Sequence, residues 1–110
     1  MASTKTYLEF VLGQLSALKD ISSRSMMGEY VLYYQGKVVG GIYDDRLLLK
    51  PTKTALQILS DLEKKPLMDI PYEGAKEMLV VDIDDCELSC RLVQAVADDL
   101  PISKNKKKKN

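Results

Sequence analysis

Between Arg24 and Lys50 the chain reads RSMMGEYVLYYQGKVVGGIYDDRLLLK, and turn signals recur too often for a helix to form. Gly28, Gln35-Gly36 and Asp44-Asp45 are separated by runs rich in Val, Ile and Tyr, which favour pleated backbone. Glycine supplies the positive φ that two-residue hairpin turns demand. The stretch therefore predicts an antiparallel meander. Ser25-Met26-Met27 is a short strand, interrupted at Gly28 by a bulge or turn. Glu29 to Tyr34 and Lys37 to Tyr43 pair across the Gln35-Gly36 turn, and Arg46 to Lys50 follows the turn at Asp44-Asp45. Pro51 ends the run. Gly40-Gly41 inside a strand signals local bending, or another backbone or a ligand lying close.

The flanks change period. Leu8, Val11, Leu12, Leu15 and Leu18 fall on one helical stripe over residues 7–18, with Thr6 and Glu9 spaced as a capping box. Gly13 inside that helix suggests close packing on the sheet, and Ile21-Ser22-Ser23 reads as a connection. Thr52 is placed to cap a second helix that runs to Lys64 and is closed by Pro66. Residues 67–77 are irregular or a short strand, and Met78 to Ile83 is a buried strand. Asp84 or Asp85 caps a last helix ending near Asp99. Runs of strands, not strict alternation, predict an α+β fold: two layers, an antiparallel sheet with helices on one face.

Length allows one domain, residues 1–103, followed by a Lys-rich tail at 104–110 expected to be disordered. Setting aside the five tail lysines leaves 11 basic against 16 acidic side chains, a net of −5 for the body. An acidic body is not the footprint of a DNA-binding domain. Lys104, Lys106, Lys107, Lys108 and Lys109 offer nucleic acid only a weak, salt-dependent contact. The chain has no His, which removes Ser/His/Asp and Cys/His catalysis and the commonest metal ligand. It contains neither a P-loop nor a dinucleotide fingerprint. No catalytic residue, metal site or cofactor is assigned. No apolar run has membrane-spanning length and the first residues do not read as a secretory leader, so the expected location is the cytoplasm.

Taken together, these residues resemble the TfoX/Sxy N-terminal domain family. Met26-Met27-Gly28 stands at the family's Met-Phe-Gly step, Gly36-Lys37 at its short turn, and Asp45-Arg46-Leu47 to Lys50 at its last meander strand. Pro71-Tyr72-Glu73-Gly74-Ala75-Lys76 is similar to a block of short standalone members, and the likeness runs over residues 5–100. The resemblance implies a fold like the type III secretion chaperones, often dimeric, and a link to regulation of natural competence. It supplies no catalytic residues. Longer members carry a second, helical domain after this one, and here the sequence ends in the Lys-rich tail.

Three constellations hold chemistry in principle. Cys86 and Cys90, at i and i+4 on the last helix, read as a redox pair or half a metal site, or as small apolar residues at the core edge. Asp82, Asp84, Asp85 and Glu87 read as oxygen ligands or as a helix cap. Tyr30, Tyr34 and Tyr43 crowd adjacent strands, with Tyr33 on the opposite side from the first two. The candidate partner or ligand surface is Tyr30, Tyr34, Gly40, Gly41, Tyr43, Arg46, Tyr72 and Lys76. The expected function is a non-enzymatic regulatory or protein-interaction domain, a homodimer that also meets an unknown protein partner through this surface, with no membrane contact. The alternative is a small-ligand sensor in which Gly40-Gly41 admits the ligand and Tyr72 to Lys76 cover it.

Overall fold

A computed structural model describes residues 3–100. The order is α1 (Lys5–Gln14), β1 (Ile21–Met26), β2 (Glu29–Tyr34), β3 (Lys37–Ile42), β4 (Leu47–Leu49), α2 (Lys53–Asp61), β5 (Met68–Asp69), β6 (Met78–Val80) and α3 (Cys86–Asp99). The strands form one antiparallel sheet in the order β1-β2-β3-β4-β6-β5. The α+β architecture expected from the sequence is the architecture observed. The Lys-rich tail lies outside the described residues.

Three hairpin turns generate the meander. Met27-Gly28, Gln35-Gly36 and Asp44-Asp45 each place both central residues at positive φ, which matches the right-handed twist of the strands they join. Glycine takes this conformation freely, and Asp tolerates it better than most residues. Met27, at φ 51°, has no such excuse and holds its long apolar side chain at a hairpin tip.

Register fixes the two faces. Leu32 opposes Gly40, Gly40 opposes Leu49, and Leu49 opposes Leu79, so these share one face with Ile42 and Leu47. That face meets Val11 and Leu15 of the first helical segment, Ala55 and Leu59 of α2, and Val93 and Val96 of α3 in one buried cluster. All three helices therefore lie on the same side of the sheet. α3 packs on β2 and β3 and against α2, and Lys37 Nζ donates to the carbonyl of Ala97 at 2.9 Å, tying the C-terminal turn of α3 to β3.

Several boundaries differ from the sequence reading. The α1 cap is Thr4, whose hydroxyl accepts from the Tyr7 amide at 3.1 Å, so the helix starts before the proposed Thr6–Glu9 box. Regular helix stops at Gln14, and a turn carries Leu15 and Leu18 into the core. Ile21-Ser22-Ser23 is not a connection but half of β1. An edge strand needs backbone partners on one side only, so a polar run suffices once β2 lies beside it. Thr52 is the backbone cap of α2, yet its side chain makes no cap bond. Asp99 of α3 takes over, accepting from the Thr54 amide and hydroxyl, each at 2.7 Å. Beyond Asp61 the chain turns out through Glu63 at φ 57°, with Glu63 and Lys64 amides closing on the carbonyls of Ser60 and Leu59.

Two predictions arise here. Gly13 is exposed and a Cβ built on it meets nothing within 4 Å, so close packing does not explain it. Gly13→Ala should raise stability by about 1 kcal/mol in urea titration, through helix propensity alone. The second concerns Asp99. Bonds from the Thr54 hydroxyl and then the Thr54 amide hold its carboxyl below the usual carboxylate range. A depressed pKa contributes stability above the unfolded value, near pH 4, and loses it as pH falls through the folded one. The stability gap between wild type and Asp99→Asn should thus be widest above about pH 4 and close on acidification, read from urea midpoints.

Candidate functional site

Among the described residues, no helix lies on the other face of the sheet. Arg24, Val31, Gly41, Leu48 and Val80 lie across it in one row, with Ser22, Tyr33 and Val38 in the next. Tyr33 and Val31 are half-buried and Val38 is exposed. Leu48 is fully buried yet stands apart from the main cluster, because it points to this outer side.

The tyrosines divide accordingly. Tyr34 is 8% exposed and belongs to the helix-side core, and Tyr30 packs against that core. Both were expected on the partner surface; strand alternation from Leu32 turns them inward instead. Tyr43 faces outward, and its ring folds back over Gly41, where a Cβ would stand 2.7 Å from the ring. Tyr72 packs edge-on against it, ring centroids 6.3 Å apart. Gly40 lies on the core side, where a Cβ would be 2.1 Å from the Leu48 carbonyl oxygen. The glycine pair thus admits the neighbouring β4 backbone on one side and a tyrosine ring on the other. The chain itself fills the space that the sensor reading reserves for a ligand.

At one end of the outer face the structure opens a cleft of about 560 Å³. Met26 and Met27 from the β1–β2 hairpin, Tyr43 just after β3, and Pro71 and Tyr72 from the segment before β6 supply apolar walls. Glu29, Asp44 and Glu73 add carboxylates, and Arg46 one cation. Met27 is 96% exposed, Tyr72 63% and Met26 48%. Of the expected surface residues, Tyr43, Arg46 and Tyr72 converge here. Lys76 is exposed but does not line the cleft.

Hydrogen bonds make the back wall rigid. Ser3 Oγ donates to Glu29 at 2.5 Å and accepts from the Asp45 amide at 3.1 Å. Glu29 also accepts from the Asp44 amide at 3.2 Å, and the Asp45 carboxylate accepts from the Thr4 amide at 2.8 Å. The start of α1 is thereby fastened to two hairpin tips. Arg46 is committed internally: it forms an ion pair with Asp69 and donates to the carbonyls of Tyr43 (3.2 Å) and Ile70 (3.4 Å). Burial, then the proximity of Tyr72 and Glu29, pushes the Tyr43 hydroxyl above its usual value, so it stays protonated at neutral pH. The cleft offers apolar contact, aromatic faces and unpaired carboxylates; it presents no activated nucleophile.

The remaining constellations serve the fold. Cys86 is exposed and Cys90 buried, and both thiols point at the Gln14 carbonyl, at 2.7 and 3.8 Å, joining α3 to the end of α1. Burial, then the neighbouring Cys86, pushes the Cys90 thiol up, away from the reactive thiolate. Asp85 caps α3 by accepting from the Leu88 amide at 3.2 Å, and Asp82 accepts from the Asp84 amide at 3.1 Å. Ser3, Glu29, Met27 and Pro71 were not expected at the site. Met27 was legible in retrospect: an apolar side chain at the tip of a two-residue hairpin cannot reach the core. The Ser3–Glu29–Asp45 bonds join residues far apart in sequence, and no local pattern marks them.

Comparison with known proteins gives this chain relatives. The family described as the TfoX N-terminal domain matches residues 13–87. An uncharacterised 12.7 kDa protein from the trpE 5′ region of Spirochaeta aurantia is 34% identical over 111 residues, covering 99% of this chain and 93% of its own length.

Proposed function

The chain belongs to the TfoX N-terminal domain family, and from that premise we propose that it is a non-enzymatic regulatory module that works by surface recognition. The observation that carries the reading is the distribution of exposed apolar side chains. Met26, Met27 and Tyr72 gather at one end of the only sheet face that the described helices leave uncovered. Exposed apolar clusters on an otherwise well-packed domain mark interaction sites. The domain meets a protein partner through this face in the cytoplasm, and the family resemblance connects that role to regulation of competence. Among the described residues no helix is long and apolar enough to cross a membrane.

Homodimerisation through the sheet region is part of the proposal. β1 is an edge strand whose backbone is paired on one side only, and such an edge is a template for a second copy. Sedimentation should give a mass near twice 12.3 kDa; a monomer at micromolar concentration counts against it. Affinity capture from the native cytoplasm, with and without residues 104–110, tests the partner reading. A protein retained in both cases supports it, and retention that vanishes with the tail transfers recognition to the lysines. The second reading, a small-ligand sensor, rests on the cleft volume alone now that Gly40 and Gly41 are occupied by the chain itself. A thermal shift of several degrees with one metabolite class would favour it.

A further inference from the structure

We infer that the cleft between the β1–β2 hairpin and the segment before β6 accepts a basic peptide segment, with an apolar side chain anchored on Met27, Tyr43 and Tyr72 and flanking Lys or Arg side chains meeting Asp44 and Glu73. The inference rests on the interaction-module reading and adds the chemistry of the partner.

Charge decides the sign. Among the described residues Arg46 is the one cation of the cleft, and it is neutralised by Asp69 and tied to two carbonyls. Glu29, Asp44 and Glu73 have no cationic partner, since Arg46–Asp69 is the only ion pair among the described residues. The body of the chain is also net acidic, by 16 carboxylates to 11 cations before the tail. A cationic segment is therefore drawn in, and an acidic one repelled. Glu29 sits at the back wall, bonded to Ser3 and the Asp44 amide, while Asp44 and Glu73 are exposed at the rim.

The walls decide the rest. Two methionines adapt to the shape of an anchor, and the paired tyrosine rings offer faces for an apolar side chain or a guanidinium. Size separates a peptide from a small molecule. An apolar strip runs from Pro71 in the cleft wall to its exposed neighbour Ile70, whose carbonyl accepts from Arg46. A partner that covers the strip as well as the cleft must be an extended segment.

The test is selection from a phage-displayed library of random peptides about twelve residues long, enough to cross an interface of ordinary size, on immobilised wild-type protein. The selection is repeated on Met27→Glu/Tyr72→Ala. Enriched peptides should carry Lys or Arg on either side of an aromatic or aliphatic residue and should not enrich on the variant. A synthetic copy of one should bind roughly tenfold more weakly to Asp44→Asn/Glu73→Gln, and weaken again as salt rises from about 0.05 to about 0.5 M. The rim variant keeps every hydrogen bond described above, so thermal melting should match wild type. Enriched peptides without basic residues, binding unchanged by the rim variant, or enrichment that persists on Met27→Glu/Tyr72→Ala would each overturn the inference. If nothing enriches and a dimer forms that Met27→Glu dissolves, the cleft belongs to a second copy and the inference fails. The module reading stands or falls separately, on capture of a protein partner.

Discussion

Replacing Gly40 by alanine is expected to destabilise the domain by about 3 kcal/mol, the upper range for overpacking a close-packed interior. The added methyl would stand 2.1 Å from the Leu48 carbonyl oxygen and 2.8 Å from the Leu49 Cα. Both are backbone atoms of the paired strand, so no side-chain rotation relieves the clash. The β3–β4 pairing, which links the meander to β6, must open instead. For a domain of this size the change corresponds to a fall in Tm of roughly 15 °C, read by thermal denaturation. Gly13→Ala is the internal control: the same substitution, with nothing within 4 Å of the new methyl. A loss at Gly40 of less than about 1 kcal/mol would mean that the two strands do not approach as described.

Met27→Glu combined with Tyr72→Ala should abolish partner capture, weakening it tenfold or more, while leaving the melting temperature nearly unchanged. Both side chains are exposed and neither contributes to the buried cluster. Glu at position 27 adds charge of the same sign as Glu29, Asp44 and Glu73, which attracts the cationic segment inferred above, so a loss of capture reports the missing apolar anchors and not the charge. Capture followed by titration of the retained protein against wild type and variant gives the ratio. A variant that melts many degrees lower would show a structural role for these residues. One that folds and still binds at wild-type strength would remove them from the interface.

Much of this was legible in the residues. Positive-φ demand at Gly36 and the acidic pair at Asp44-Asp45 mark two of the three hairpin turns, and the Leu47–Leu49 run is long enough only for a short buried strand. The resemblance on Met26-Met27-Gly28 and Asp45-Arg46-Leu47 pointed to the family that the wider comparison shows. What local pattern misread was facing. Tyr30 and Tyr34 look like surface residues for want of a marker on Leu32, the residue between them that fixes the inward side. Gly40-Gly41 suggests a ligand because sequence does not reveal that Tyr43 folds back over its own strand. Long-range polar ties were also silent: Thr4 to Asp45 fastens the start of α1 to a hairpin tip, and Thr54 to Asp99 replaces the cap that Thr52 would suggest. The cleft combines residues from a hairpin tip, a strand end and a loop, so its parts were visible singly and its assembly was not.

We expect a partner to meet the uncovered sheet face at this cleft and not the helical side. Site-specific photo-crosslinking in cells tests it most directly, with the reactive group placed at Met27 in one protein and at Gln94 of α3, exposed on the opposite layer, in another. A discrete protein adduct from position 27, absent from position 94, is the predicted result. Adducts of equal strength from both positions, or an adduct from position 94 alone, would mean that the partner does not dock at this cleft.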